Sequence, residues 1–162
     1  MNAAIMVMGV SGCGKSTVGA ALAKAMEGVF LDGDDYHPPE NRAHMAAGQP
    51  LNDAMRWPWL DTLAAAVTAQ RVARPTVFAC SALKRSYRSY LGDRLPDLQI
   101  IYLQIAKDVV ENRVRSRQDH FMPVSLVDSQ FATLEVPTAP AIIVEAAWPV
   151  DVTVQTVMGR LP

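Results

Sequence analysis

Gly9-Val10-Ser11-Gly12-Cys13-Gly14-Lys15-Ser16-Thr17 follows a short apolar run, Ala4-Ile-Met-Val-Met8, and precedes a stretch of helical period. In that stretch Val18, Leu22, Ala25 and Met26 share one face, and Gly28 is a natural stop. The loop fits G-x-x-x-x-G-K-[ST] in full, between the buried strand and the amphipathic helix that the pattern requires. Its glycines let the backbone curl until several N–H groups point inward, which makes a cradle for phosphate oxygens. A helix starting at Ser16 adds its positive end. Lys15 brings a cation between the outer phosphates, and the Ser16 hydroxyl is placed to ligate Mg²⁺, a cation that takes oxygen ligands. Cys13 reads as a small residue whose backbone N–H is used.

Working outward, four more apolar runs read as strands: Val29–Leu31, Thr76–Cys80, Leu98–Leu103 and Ala141–Val144. Helical segments are expected up to Ala47, from Leu83 to Leu91, from Asp108 to Arg117, from Ser125 to Leu134, and in a last piece ending near Leu161. Asp53 is a candidate cap, but Pro58 follows closely, so the secure part of that helix is expected to begin near Trp59, with Leu60, Leu63 and Val67 facing the core. Phe121–Pro123 reads as a loop. Continuously apolar strands alternating with helices predict an α/β fold: a five-stranded, mainly parallel sheet with helices on both faces, in one domain across residues 1–162. The polar clusters Gly9–Ser16, Asp32–His37 and Ser81–Arg88 all follow strand ends. Ligands of such sheets sit there, so one site is predicted.

Composition narrows the partners. The formal net charge of the 162-residue chain is −1, which offers no global basic field to nucleic acid or to an anionic membrane. The local basic clusters Lys84–Arg88 and Arg113–Arg117 suit a small anion better than a polymer. The two cysteines, Cys13 and Cys80, do not make a disulfide framework, and a reducing compartment is expected. Met1–Val10 lacks a basic leader region and reads as a strand instead of a signal peptide. No apolar run approaches the roughly 20 residues that span a bilayer.

A phosphate loop alone does not separate a kinase from a GTPase or an ATP-driven machine; the next segments do more. Asp32-Gly-Asp34-Asp35-Tyr-His37 places carboxylates beside the phosphate site, which is unfavourable unless a metal or a proton transfer uses them. Asp34 is the preferred acceptor for the proton of an attacking hydroxyl. His37, stiffened by Pro38 and Pro39, is a candidate donor to substrate oxygens. Arg56 makes bidentate bonds to carboxylates. Trp57 and Trp59 suit a pocket wall or plain packing. Lys84, Arg85 and Arg88 can share a helix side. Arg113 and Arg117, one turn apart, suit a lid that brings cations to the transferred group and excludes water. A guanine-reading Asn-Lys-x-Asp is absent, which argues against a GTPase-type switch.

Together the segments Gly9–Thr17, Leu31–Pro38, Glu40-Asn-Arg42, Gly48–Leu51, Arg56-Trp-Pro-Trp-Leu60, Cys80–Arg88, His120-Phe-Met-Pro123 and Asp128–Glu135 resemble the bacterial-type thermoresistant gluconokinases, in order and over nearly the whole chain. The resemblance implies a P-loop NTPase of nucleoside-monophosphate-kinase-like fold, with an acceptor-binding region at about residues 36–60 and a short lid at about 113–128. It implies ATP and Mg²⁺ as cofactors, gluconate as substrate, 6-phosphogluconate as product, and a cytosolic protein, often a homodimer. It assigns Lys15 and Ser16 the P-loop roles, and Asp34, His37, Arg56, Lys84 and Arg88 the acceptor side. Arg113 and Arg117 fall on the lid, with His120 and Gln130 behind them. The sequence departs from the family pattern at Asp53-Ala-Met55, which lacks a second acidic residue, at Cys13, and at Val124, where proline is common. A shikimate-kinase-like enzyme and a non-catalytic nucleotide-binding module are the competing readings; the segments around Trp57 and His120 and the intact Lys15, Ser16, Asp34 and Arg117 weigh against them.

Overall fold

Five apolar residues without a charge, Ala4–Met8, are buried along their whole length and form the central strand, β1. The computed structural model of the protein describes residues 1–116 and 125–162. After β1 come α1 (Lys15–Ala25), β2 (Val29–Asp32), a 3-10 turn (Gly33–Tyr36), α2 (Pro39–Ala46) and α3 (Asp53–Gln70). The chain continues through β3 (Thr76–Ala79), α4 (Arg85–Arg94), β4 (Gln99–Gln104) and α5 (Lys107–Ser116). It ends with α6 (Ser125–Thr133), β5 (Ile142–Glu145) and α7 (Val150–Arg160).

The sheet order is β2-β3-β1-β4-β5, and all four pairings are parallel. Side chains alternate across it, as a pleated strand requires. Ile5 and Val7 of β1 join Val18 and Leu22 of α1, Val110 of α5 and Val157 of α7 on one face. Met6 and Met8 join Leu60, Leu63 and Val67 of α3 and Leu91 of α4 on the other. Each such buried side chain contributes about 1.5–3 kcal/mol, so both faces of β1 anchor the fold. Because β1 lies between β3 and β4, the chain moves to one side of it and then to the other. The crevice at that reversal is where α/β sheets bind ligands. Among the described residues no helix is long and apolar enough to cross a membrane.

Two helix starts differ from expectation. α3 begins at Asp53, five residues before Pro58, and its cap is Asn52, whose side chain accepts from the Met55 N–H at 2.9 Å. Pro58 removes one bond early in the helix, where its exposed ring meets solvent, and the buried Trp59, Leu60 and Leu63 hold the rest in register. α4 begins at Arg85, because Ala82 takes a left-handed conformation (φ 43°) and Leu83 dips into the core before the helix can start.

Gly33 is required by close approach. A Cβ there would lie 2.2 Å from the Ala79 carbonyl oxygen, so no side chain fits where the exit of β2 crosses the end of β3. The Gly33 carbonyl accepts from the Trp59 indole N–H at 2.8 Å, tying this crossing to α3.

Candidate active site

The phosphate loop leaves the C-terminal end of β1 and turns at Gly9, where φ is 152° and a Cβ would meet Cys13 Sγ at 2.8 Å and the Leu103 carbonyl oxygen at 3.0 Å. Cys13 is buried against that turn and serves as loop packing. Lys15 Nζ donates to the Val10 carbonyl at 3.1 Å, within the loop. The Ser11 N–H donates to Gln130 Oε1 of α6 at 2.6 Å, and Arg113 of α5 donates to the Gly12 carbonyl at 3.0 Å. Both assigned helices therefore reach the loop itself.

Asp32 links this loop to the second strand. One carboxylate oxygen caps the 3-10 turn by accepting from the Asp34 N–H at 3.0 Å. The other accepts from the Ser16 hydroxyl at 2.8 Å. A hydroxyl and a carboxylate at a helix N-terminus form an all-oxygen donor pair. That pair fits Mg²⁺, which keeps waters and phosphate oxygens as its remaining ligands and does not need a cage of protein side chains.

Asp34 opens onto the same cleft. Protein packed on its other sides raises its pKa above the usual carboxylate value; the Lys15 ammonium pulls it down again, and the Asp32 charge adds to the rise. A carboxylate raised in this way is a better proton acceptor than a free surface aspartate. Arg42 holds the turn in place by donating to the Asp34 carbonyl at 2.7 Å.

Behind Asp34 stands His37, 8% exposed, stacked on Trp59 with ring centroids 3.9 Å apart. Its Nε2 lies 3.8 Å from Asp34 Oδ1. Burial first, then the guanidinium groups of Arg56 and Arg42, push its pKa down to about 4, so it is neutral at physiological pH. The unfolded chain binds that proton more readily. Folding stability therefore falls as pH drops from about 6.5 toward 4, by up to about 3 kcal/mol from this residue. Urea midpoints at about pH 7 and about pH 5 check this, and His37→Gln should flatten the difference.

Arg56 completes the acceptor side. One terminal nitrogen donates to the Leu51 carbonyl at 3.3 Å, and the guanidinium lies over the Tyr87 ring at 4.8 Å. Its Nε is buried without a hydrogen-bond partner among the described residues. An orphaned cationic donor is costly unless an anion arrives to meet it.

These groups surround one cleft of about 370 Å³, lined by Lys15, Ser16, Asp32, Asp34, His37 and Arg56 among others, with Gln130 of α6 on its rim. Two expected acceptor residues stand elsewhere. Arg88 is 8% exposed and donates to the carbonyls of Ala82 (2.8 Å), Leu83 (3.1 Å) and Glu135 (2.8 Å), which braces the loop after β3. Lys84 pairs with Asp53 at 3.5 Å beyond the cleft lining. Lys84, Arg85 and Arg88 thus do not form one cationic face. Cys80 is buried, and burial pushes its thiol up to about 12, which makes it inert. Arg117, His120 and Val124 lie outside the described residues.

The chain is 44% identical over 135 residues to the thermoresistant gluconokinase of Escherichia coli K12, covering 83% of this chain and 77% of that protein. It is 48% identical over 138 residues to the gluconokinase of Gluconobacter oxydans, covering 82% and 75%. A family model described as an AAA domain matches residues 5–137, from β1 past α6. The chain belongs to the gluconokinase family. A crystal structure of a gluconokinase from Sinorhizobium meliloti superposes with a TM-score of 0.86 at 41% identity, covering 98% of this chain and 90% of that one. A shikimate kinase from Bacteroides thetaiotaomicron, at 16% identity and a TM-score of 0.64, shares the fold alone.

Within this gluconokinase-family site, sequence reasoning assigned no role to Asp32, Asn41 or Arg42. Asp32 stood in plain view two residues before Asp34, but which carboxylate meets the Ser16 hydroxyl depends on how β2 lies beside α1. Asn41 and Arg42 stood in a family segment, and nothing local shows that one turn of α2 aims both at the 3-10 turn.

Proposed function

We propose that this protein transfers the γ-phosphoryl group of ATP to D-gluconate, giving 6-phospho-D-gluconate and ADP. One observation carries the proposal: the phosphate loop, the Asp34 carboxylate and the Arg56 side chain line the same cleft of about 370 Å³. That size lies within the range of about 300–1,000 Å³ common for small-molecule sites. It offers cations and N–H groups at one end and an anion receptor at the other, which suits a nucleotide tail and a sugar acid.

The chain's own groups divide the work. Backbone N–H groups of Gly12, Gly14, Lys15 and Ser16 hold the phosphate oxygens, and Lys15 leaves the Val10 carbonyl to bridge the outer phosphates. Magnesium, held by the Ser16 hydroxyl and the Asp32 carboxylate, would neutralise charge on the phosphate oxygens. Arg56 receives the carboxylate of the acid and His37 donates to a sugar oxygen. Asp34 takes the proton as the acceptor hydroxyl oxygen bonds to phosphorus and the bond from phosphorus to ADP breaks. Arg113 and Arg117 are the lid cations in this reading. A homodimer and a cytosolic location belong to the same reading.

A coupled assay of ADP release tests it, with gluconate, shikimate, glycerate, other aldonic acids and no acceptor as separate arms. Gluconate-dependent release well above every other arm is expected. Turnover independent of gluconate, or a preference for another acid, overturns the substrate assignment.

A further inference from the structure

Asn41 is 1% exposed, and its side chain makes two contacts through one atom. Nδ2 donates to the Met55 carbonyl at 3.0 Å and lies 3.3 Å from His37 Nδ1. A carbonyl oxygen only accepts, so the group facing Met55 is the amide nitrogen and not its oxygen. The second N–H of that same nitrogen then points at His37 Nδ1. That ring nitrogen must present its lone pair, and the imidazole proton sits on Nε2. The ring plane is held flat on Trp59, stacked at an interplanar angle of 19°. Its Nε2 faces Asp34 Oδ1 across 3.8 Å, too far for a direct hydrogen bond. A hydroxyl oxygen seated against both groups would accept from Nε2–H and offer its own proton to Asp34.

We propose that Asn41 is a positioning residue that fixes His37 as the Nε2–H tautomer, so that His37 orients the acceptor hydroxyl toward Asp34. The orienting role rests on the function proposed above; the tautomer does not. The charged groups around the imidazole are Asp34 from the 3-10 turn, Arg42 from α2 and Arg56 from α3. None of them touches Nδ1 in place of Asn41 among the described contacts.

The tautomer is read by long-range ¹H–¹⁵N NMR of the full chain without substrate. The chain has three histidines, and the His37 signal is the one missing from His37→Gln. The Nε2–H pattern is expected at about pH 7. A proton on Nδ1, or a fast-exchanging mixture, overturns the proposal. In Asn41→Asp a carboxylate replaces the donor, and the proton is expected to move to Nδ1. With it, kcat/KM for gluconate should fall roughly tenfold to a hundredfold while the KM for ATP holds. A moved proton with unchanged kcat/KM overturns the orienting role.

Should Asn41→Asp fail to fold, two variants of His37 carry the test. His37→Gln sets an amide N–H near the Nε2 position, and His37→Asn sets one near Nδ1. His37→Gln is expected to retain clearly more kcat/KM for gluconate than His37→Asn; equal losses overturn the proposal. The two readings fail separately. A wild-type protein that shows the Nε2–H pattern but no gluconate turnover sinks the proposed function alone. The opposite result sinks only this inference.

Discussion

Asp34→Asn is expected to lower kcat with gluconate by roughly a hundredfold or more, the usual loss when a general base is removed. Asparagine keeps the size of the side chain and its hydrogen-bonding reach, but its amide cannot take a proton. The backbone around it should survive, because the turn is held by groups other than this carboxylate. The Asp34 N–H is capped by Asp32, and the Asp34 carbonyl is held by Arg42. Nucleotide binding should survive too, since the phosphate loop is built from residues 9–16 of a different segment. The measurement is steady-state kinetics with both substrates varied. A large fall in kcat with the KM for ATP nearly unchanged supports the assignment. Turnover close to wild type would mean that another group takes the proton, or that none is needed.

Lys15→Ala is expected to lose most phosphoryl transfer, roughly a hundredfold to a thousandfold in kcat, and to weaken nucleotide binding as well. The lysine differs from Asp34 in acting on the nucleotide before and during transfer. Its ammonium lies against the Val10 carbonyl, so moving to the phosphates exchanges a weak neutral acceptor for anionic oxygens. Charge spread over the transferred group strengthens that interaction as the reaction proceeds, which is why kcat falls along with affinity. Isothermal titration with ATP separates the binding loss from the catalytic one, and thermal melting without ligand shows whether the fold is kept. Retained kcat in a folded Lys15→Ala protein would remove Lys15 from the chemistry.

The two residues differ in how they can be read. Lys15 is legible from its neighbours alone: eight consecutive residues form a loop whose geometry is local, between a strand and a helix that their own periodicity announces. The assignment of Asp34 is legible only as one of three nearby carboxylates. What singles it out is the tertiary arrangement: Asp32 spends its oxygens on the Ser16 hydroxyl and the Asp34 N–H, and of the other two only Asp34 lines the cleft.

The basic residues show the same division. From sequence, Arg56 and Arg88 are equivalent candidates for an anion, since each has the charge and the fork. In the structure Arg88 spends its donors on three backbone carbonyls, because the left-handed Ala82 and the loop after β3 bring those carbonyls to it. Arg56 lines the cleft, and its buried Nε has no hydrogen-bond partner among the described residues. Pro58 misled in a related way: a local rule for helix breaking was outweighed by a cap at Asn52 and by apolar side chains that gain more from burial than one missing hydrogen bond costs.

By itself, then, the sequence determined the alternation of strands and helices, the phosphate loop and the likeness to the gluconokinases, because apolar period and loop geometry are encoded by neighbours along the chain. The tertiary structure alone decided that Asp32 meets the Ser16 hydroxyl, that Asn41 holds His37, and that Arg56 and not Arg88 faces the cleft. Those choices follow from how helices of fixed phase dock on a twisted sheet and from which backbone carbonyls that docking leaves to compete for each cation.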